Sequence, residues 1–334
     1  MLSYRSGALL YSEEGKEVFR VSLPLSRWKR LLSHSRLTER FLRLTPKCCE
    51  RIDNTSFVIS FAGSAYCLDI EKMELKEEHR YCSRMNNPLY FSKIVGIDGF
   101  TDGILYGEYP ININRNPISI FRRNFEGRWE KVYSFNGNIL HIHNIIPDKN
   151  RGCVYILTGD TDQESAIWEA RNDFQSVKPI VIGSQRYRSC VAFPVKNGLV
   201  YATDSPLEKN NIYYLDVETG VVDKLGDLTG ACVYGTENGG KYYFTTDVEP
   251  DASLSYWRYW LTYRLGKGIN DRKVRVVAGN LEEGFSVVAE FEKDLWPYTM
   301  FQFGNVLFPK CDISGEVLIQ PVAVKKYDNC ALFL

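Results

Sequence analysis

Short apolar runs, each closed by a turn signal, recur along almost the whole chain, and the alternation inside them is that of strands. The most regular runs end in an acid: Ile104-Leu105-Tyr106-Gly107-Glu108, Tyr155-Ile156-Leu157-Thr158-Gly159-Asp160, Val200-Tyr201-Ala202-Thr203-Asp204 and Tyr243-Phe244-Thr245-Thr246-Asp247. Successive carboxylates stand 52, 44 and 43 residues apart. A period in the forties with several short strands per repeat predicts radial repetition of four-stranded blades, an all-β propeller. Complete repeats number six, with five or seven blades as the alternatives, and residues 1–334 are expected to form a single domain. The sixth repeat contributes Cys232–Thr236 and Tyr242–Thr246 before an aromatic insertion through Tyr256-Trp257-Arg258-Tyr259-Trp260. The last contains Tyr298–Phe303, Val306–Pro309, Val317–Val324 and Cys330–Leu334. A hairpin over residues 7–24, turning at Ser12-Glu13-Glu14-Gly15-Lys16, is expected to join the carboxy-terminal unit and hide the ring's open edge.

One stretch breaks the pattern. Between residues 25 and 44, Trp28, Leu31, Leu32, Leu37, Phe41 and Leu42 fall at helical spacings among many basic residues. That predicts a short amphipathic helical insertion, one helix or two, packed on the outside of the β structure.

Lys+Arg and Asp+Glu are 41 each, so no net field draws nucleic acid or an anionic membrane. No apolar run reaches the roughly 18 residues of a membrane span, and the opening residues do not read as an export signal. Nine cysteines without a C-x-x-C pair read as reduced, mostly buried thiols, and the cytoplasm is the expected compartment. Phosphate-loop, dinucleotide-binding and nucleophile-elbow motifs are missing, as is any zinc-type Cys/His spacing, so no cofactor and no metal are expected.

In a propeller, the loop between a blade's second and third strands opens on the same face as the connection into its first strand. The predicted face therefore gathers Glu108, Tyr109, Asn114, Arg115, His141, His143, Asp160, Glu164, Arg186, Arg188, Asp204, Glu208, Asp247 and Glu249. Alternation puts His141 and His143 on one side of their strand. Such a polar, mixed-charge face suits a hydroxyl-rich or carboxylate-bearing ligand. The competing reading is that single acids at strand ends cap neighbouring turns.

Three segments resemble the Asp-box repeat, Ser-x-Asp-x-Gly-x-Thr-Trp, of sialidase-like propellers: Ser12 to Phe19, Arg122 to Trp129 with Asn124 at the Asp place, and more faintly Ala170 to Val177. Gly107-Glu108-Tyr109-Pro110, His141-Ile142-His143 and Thr158-Gly159-Asp160 also look like propellers encoded with bacterial polysaccharide biosynthesis genes. These resemblances imply carbohydrate association. Arg115, Arg186 and Arg188 could stand for a sialidase's arginine triad, but the usual amino-terminal Arg-Ile-Pro segment is absent.

Two classes of function follow. An enzyme acting on an acidic glycan as a hydrolase needs two carboxyl groups, here Glu108 and Asp160 with Asp204 as substitute. As a uronate lyase it needs a base (His143 or His141), an acid (Tyr109 or Tyr187) and a carboxylate clamp (Arg186 or Arg188). His141, Arg115, Glu164 and Asp247 complete the expected substrate contacts. The alternative is a non-catalytic propeller that binds a glycan, or a partner protein of envelope-polysaccharide assembly, through aromatics such as Trp257, Tyr259 and Trp260.

Overall fold

The computed structural model describes residues 2–13, 16–251, 253–309 and 315–334. Seven sheets follow one another in chain order, and within each the neighbouring strands are consecutive in sequence. The first sheet has three strands (Leu2–Arg5, Ala8–Glu13, Lys16–Ser22). The second has four (Cys48–Arg51, Ser56–Phe61, Ser64–Asp69, Glu74–Arg80). The third runs Ser92–Ile94, Gly103–Gly107, Ile118–Arg123 and Trp129–Phe135. The fourth runs Ile142–Asp148, Cys153–Thr158, Ala166–Arg171 and Ser176–Ile182. The fifth runs Ser189–Val195, Gly198–Thr203, Asn210–Asp216 and Val222–Leu228. The sixth runs Gly235–Asn238, Lys241–Thr245, Lys273–Asn280 and Gly284–Glu292, and the seventh Asn305–Leu307, Leu318–Val322 and Leu332–Phe333. This is a seven-bladed β-propeller built on four-stranded blades.

Two compact units divide the chain: Met1–Ile156 with Trp168–Lys178, and Leu157–Ile167 with Pro179–Leu334. In the first, Leu9, Tyr11, Phe19 and Leu23 pack with Ile59, Phe61 and Leu68. A second core joins Val58, Ala65 and Tyr81 to Phe91, Ile104 and Tyr106. In the second unit, Val274 and Val276 meet Tyr298, Val306 and Ile319. Second strands such as Gly103–Gly107 and Gly198–Thr203 are buried at every position, whereas the fourth strand Glu74–Arg80 has no buried residue. Burial on both faces is why the second strands read as continuous apolar runs.

The preferred count of six blades gives way to seven for two reasons. Each terminal segment makes a three-stranded sheet of its own rather than adding to a shared one. Lys273–Asn280 and Gly284–Glu292, whose apolar residues are broken by charges, complete the sixth sheet beyond the insertion. Tyr298–Phe303 is not a strand: Phe301 N–H donates to Pro297 O at 3.0 Å, coiling the segment around the buried Tyr298. The turn residues Glu14 and Gly15, and with them the first box-like segment's centre, lie outside the described residues.

Residues 25–44 form two helices, Arg27–Leu32 and Arg36–Phe41. Their apolar positions are at best partly covered, with Leu32, Leu37 and Leu42 half-buried. Trp28, Leu31 and Phe41 are exposed, while Glu39 and Arg40 are buried. The segment is held instead by its flanking Leu23 and Leu44 and by polar bonds such as Ser33 Oγ to Arg30 O at 2.7 Å.

Four of the turns between third and fourth strands share one device, a side-chain oxygen accepting backbone amides. Asp69 Oδ1 takes Lys72 N–H (2.9 Å), Asn124 Oδ1 takes Arg128 N–H (2.8 Å), Asp216 Oδ1 takes Thr219 N–H (2.8 Å) and Asn280 Oδ1 takes Glu283 N–H (2.7 Å).

Close strand packing in the first unit requires Gly107, because a Cβ there would meet Ile142 Cγ2 at 2.4 Å. Gly107→Ala should therefore cost about 1–3 kcal/mol through overpacking, read as a lowered denaturation midpoint. An unchanged midpoint would show that the neighbouring strand yields freely. The same unit holds half-buried His79 stacked on Trp129 (4.9 Å, 19°), with Nε2 2.8 Å from Tyr106 Oη. Burial lowers the His79 pKa below its ordinary 6.5. The unfolded chain then binds a proton that the folded one resists, so stability falls as pH drops below about 6.5. In His79→Phe the loss of stability between neutral and mildly acidic pH should shrink; an undiminished loss would place its cause elsewhere.

Candidate functional site

The second unit gathers three of the four acidic strand ends. Asp160 follows the strand Cys153–Thr158, and its backbone sits at φ 136°, a region that side-chain-bearing residues rarely adopt. Such a conformation costs about 1–3 kcal/mol and persists only where the surroundings over-determine it. Here they do. Gln185 Nε2 and Arg188 Nη1 both donate to Asp160 O, at 3.1 and 3.2 Å, and Arg188 Nη2 pairs with Asp160 Oδ1 at 3.0 Å. Gly159 leaves room for the arginine stem, since a Cβ there would meet Arg188 Cγ at 2.9 Å.

Arg188 leaves the single helical turn Gln185–Tyr187, whose Ser184 Oγ accepts Arg186 N–H. Its Nη2 also faces Asp204 Oδ2 at 3.7 Å. Burial works against the guanidinium charge, but Asp204, Asp160 and Glu249 more than offset it and hold Arg188 above its ordinary pKa. Arg188 Nε is buried without a hydrogen-bond partner among the described residues.

Asp204 is buried, and its loop is organised by Asn210, which is fully buried. Asn210 Oδ1 accepts Ser205 N–H at 2.8 Å, and its Nδ2 donates to Ser205 O at 2.7 Å. Asp204 Oδ2 accepts from Cys190 Sγ at 3.2 Å, whereas Oδ1 has no hydrogen-bond partner among the described residues. Burial, and then the Asp204 carboxylate, push the Cys190 thiol well up, so it serves as a neutral donor. Cys232 is pushed up in the same way by burial and by Asp247 and Asp204. Asp247 is buried, with its N–H donating to Ala231 O at 2.7 Å.

Glu249 is the group that the strand-end spacing did not single out. It lies on the extended segment beyond Asp247, its carbonyl accepting Gly266 N–H at 3.1 Å. Burial first, and then the Asp204 and Asp160 carboxylates, raise its pKa to about 8 against the opposing pull of Arg188. Glu249 therefore keeps its proton at neutral pH beside Asp204 and Asp160. Tyr259, from the helix Tyr256–Leu261, lies close enough that burial and then Glu249 raise its hydroxyl pKa. Thr299 Oγ1 anchors that helix by donating to Tyr259 O at 3.1 Å.

Other expected residues are engaged elsewhere. Glu164 Oε1 accepts Thr161 N–H and Oγ1 at 3.2 and 3.0 Å, closing its own turn. Arg186 lies over the Tyr213 ring at 4.9 Å and donates to Val222 O, so it points along the blade rather than into the acid cluster. Glu208 and Asn114 are exposed, Tyr187 is half-buried, and Trp260 is partly covered in the insertion.

The histidine pair lies in the first unit. His141 and His143 are buried with Nε2 atoms 3.2 Å apart, so one imidazole donates and the other accepts. The Tyr109 ring stands 4.0 Å from His141 and 6.0 Å from His143. Glu108 Oε2 accepts Ser119 N–H at 2.8 Å, the turn-capping alternative for this acid. Arg115 is exposed at φ 51° in the following loop, whose turn is tied by Asn112.

No family model matches the chain, and no curated protein does. Among solved structures it is similar to the dihydro-haem d1 dehydrogenase NirN in complex with DHE (TM-score 0.52, 11% identity), with all of this chain and 62% of that one covered. It is also similar to prolyl endopeptidases (TM-score 0.51, 11% identity, 100% of this chain and 49% of that one). An oligogalacturonate lyase in complex with manganese has a TM-score of 0.49 at 11% identity, over 82% of this chain and 75% of that one. The chain thus spans less than two thirds of the first two, and at such identities the likeness is one of fold alone, the β-propeller.

Proposed function

We propose that this chain is a carbohydrate-active propeller that cleaves a carboxylate-bearing poly- or oligosaccharide by hydrolysis, with Glu249 as proton donor and Asp204 or Asp160 as base. The observation that supports this is Glu249 with its pKa raised to about 8 beside the Asp204 and Asp160 side chains. A carboxyl group with a raised pKa beside a second carboxyl group is the pattern of acid–base cleavage of a glycosidic bond. Glu249 gives its proton to the leaving oxygen as the C–O bond breaks. The carboxylate partner takes a proton from the attacking water, so one water is consumed per bond cut.

Two features favour hydrolysis over uronate elimination. Elimination needs a guanidinium free to neutralise the sugar carboxylate, and Arg188 is already held by Asp160 and Asp204. Arg186, the other expected clamp, is held by Tyr213 and Val222 O. For the same reason a sialidase-type arginine triad is not part of the proposal. The Asn124 turn keeps the chemistry of an Asp-box turn, but Asp69, Asp216 and Asn280 do the same in segments without the box. The eight described cysteines are unbridged, which supports a reducing compartment such as the cytoplasm. A non-catalytic glycan-binding role is the second reading, favoured by the exposure of Trp257 at 76%.

Turnover of uronate-containing polysaccharides should fall by about 10²-fold or more in Glu249→Gln, with binding retained. Wild-type kcat/KM should decline as pH rises through about 8, and the variant should lose that alkaline limb. Stability moves with the same proton. Folded Glu249 holds a proton that the unfolded side chain releases near 4.5, so wild-type stability drops as pH rises from that value through about 8. The Gln variant should not show that drop. Saturable binding without product release from the wild type would favour the binding module, and undiminished turnover in Glu249→Gln would remove the assignment.

A further inference from the structure

The segment between Asp251 and Arg264 is a closed loop with a helix at its tip. Asp251 N–H donates to Arg264 O at 3.0 Å, and Arg264 Nε pairs with Asp251 Oδ2 at 3.0 Å, so the base is pinned by backbone and side chain together. Tyr259 faces inward, where Glu249 acts on it, and its carbonyl is tied to Thr299. Trp257, two positions earlier and so on the opposite side of the helix, points outward. It lines a shallow cavity of about 410 Å³ with Leu254, Arg258, Leu261, Thr262 and Arg264.

A large aromatic kept in water costs free energy that a folded chain ordinarily avoids by burying it. Here Leu261 at 54% exposure extends the apolar surface, and two guanidinium groups border it. Arg264 already has Asp251 as partner, whereas exposed Arg258 has no ion pair or hydrogen bond among the described residues. An indole face beside a free guanidinium suits a ring that presents both an apolar C–H face and a carboxylate.

We propose that Trp257 and Arg258 form a subsite for a carboxylate-bearing sugar ring, the ring stacking on the indole and its carboxylate pairing with Arg258. The proposal rests on the glycan-cleaving function above and refines it, by giving the substrate's negative charge a place apart from the acid cluster. Within that cluster Asp160, Asp204 and Asp247 outnumber Arg188 and disfavour a further anion. The outer face of the helix thus selects acidic chains while Glu249, under its inner face, serves the linkage.

The probes are a trisaccharide of galacturonic acid and its carboxyl-reduced galactose counterpart, titrated into the full chain by calorimetry. The wild type should bind the acidic trisaccharide more tightly than the neutral one. Trp257→Ala should weaken both by about tenfold, a stacking loss of roughly 1.4 kcal/mol. Arg258→Gln should weaken only the acidic probe, and added salt should reproduce part of that loss. A helix that fails to form would confuse the alanine result, so Trp257→Phe, which keeps a flat ring, should recover most of the affinity. Equal affinity of wild type, Trp257→Ala and Arg258→Gln for the acidic trisaccharide would overturn the subsite. So would equal affinity of the wild type for both probes, or tighter binding of a poly-glutamate peptide than of the sugar. Glu249→Gln separates the two claims: lost turnover with unchanged Trp257 dependence leaves both standing. Lost turnover with no Trp257 or Arg258 effect leaves the chemistry and removes the subsite. Retained turnover with a clear Arg258 effect does the reverse.

Discussion

One guanidinium holds the second unit's polar centre together. Arg188 is bonded to both the carbonyl and the carboxylate of Asp160 and faces Asp204, with Glu249 also within its field. Buried charge is tolerated only when paired, and a single cation cannot neutralise every neighbouring acid. The surplus is relieved in two ways. Glu249 keeps its proton, and Cys190 stays a thiol that donates to Asp204. Asp160's strained backbone follows from the same anchor, because its carbonyl must turn toward Arg188 and Gln185 to be satisfied.

The fold supplies this centre by repetition. The second strands of the third, fourth and fifth sheets are buried along their length and leave no place for a charged side chain until they end. The first polar positions after these strands therefore collect at strand ends, where backbone amides from the next connection meet them. Some acids at these places are consumed locally, as Glu108 is by Ser119 and Glu164 by Thr161. Asp160 meets Arg188 from the following blade's connection, Asp204 meets Arg188 and Cys190 from the entry of its own blade, and both become part of a cluster. Repetition provides the positions, and the partner decides between a cap and a site.

Much of the blade structure could be read directly. Apolar runs buried on both faces, such as Ser56–Phe61 and Gly198–Thr203, carry a signal that no surface element imitates. Lys273–Asn280 was obscured because its partly exposed face carries charge, and because a helical insertion separates it from the strand it pairs with. The helices near residues 27–41 were legible as helices, yet the side chains they cover were not. Helical spacing marks which positions share a stripe, and here that stripe is half-buried at best while Glu39 and Arg40 turn in. Arg186 and Arg188 look equivalent as a sequence pair, but alternate residues on a tight turn leave in different directions, one to Tyr213 and one to Asp160.

Local chemistry alone determined the strand grammar, the blade period and the acidic strand ends, because these depend on short-range burial and turn formation. Tertiary structure decided the blade count, the pairing of Arg188 with Asp160 and Asp204 and the protonation of Glu249. A pKa of about 8 needs desolvation and the fields of Asp204 and Asp160, residues 45 and 89 positions earlier in the chain, and only folding sets those distances.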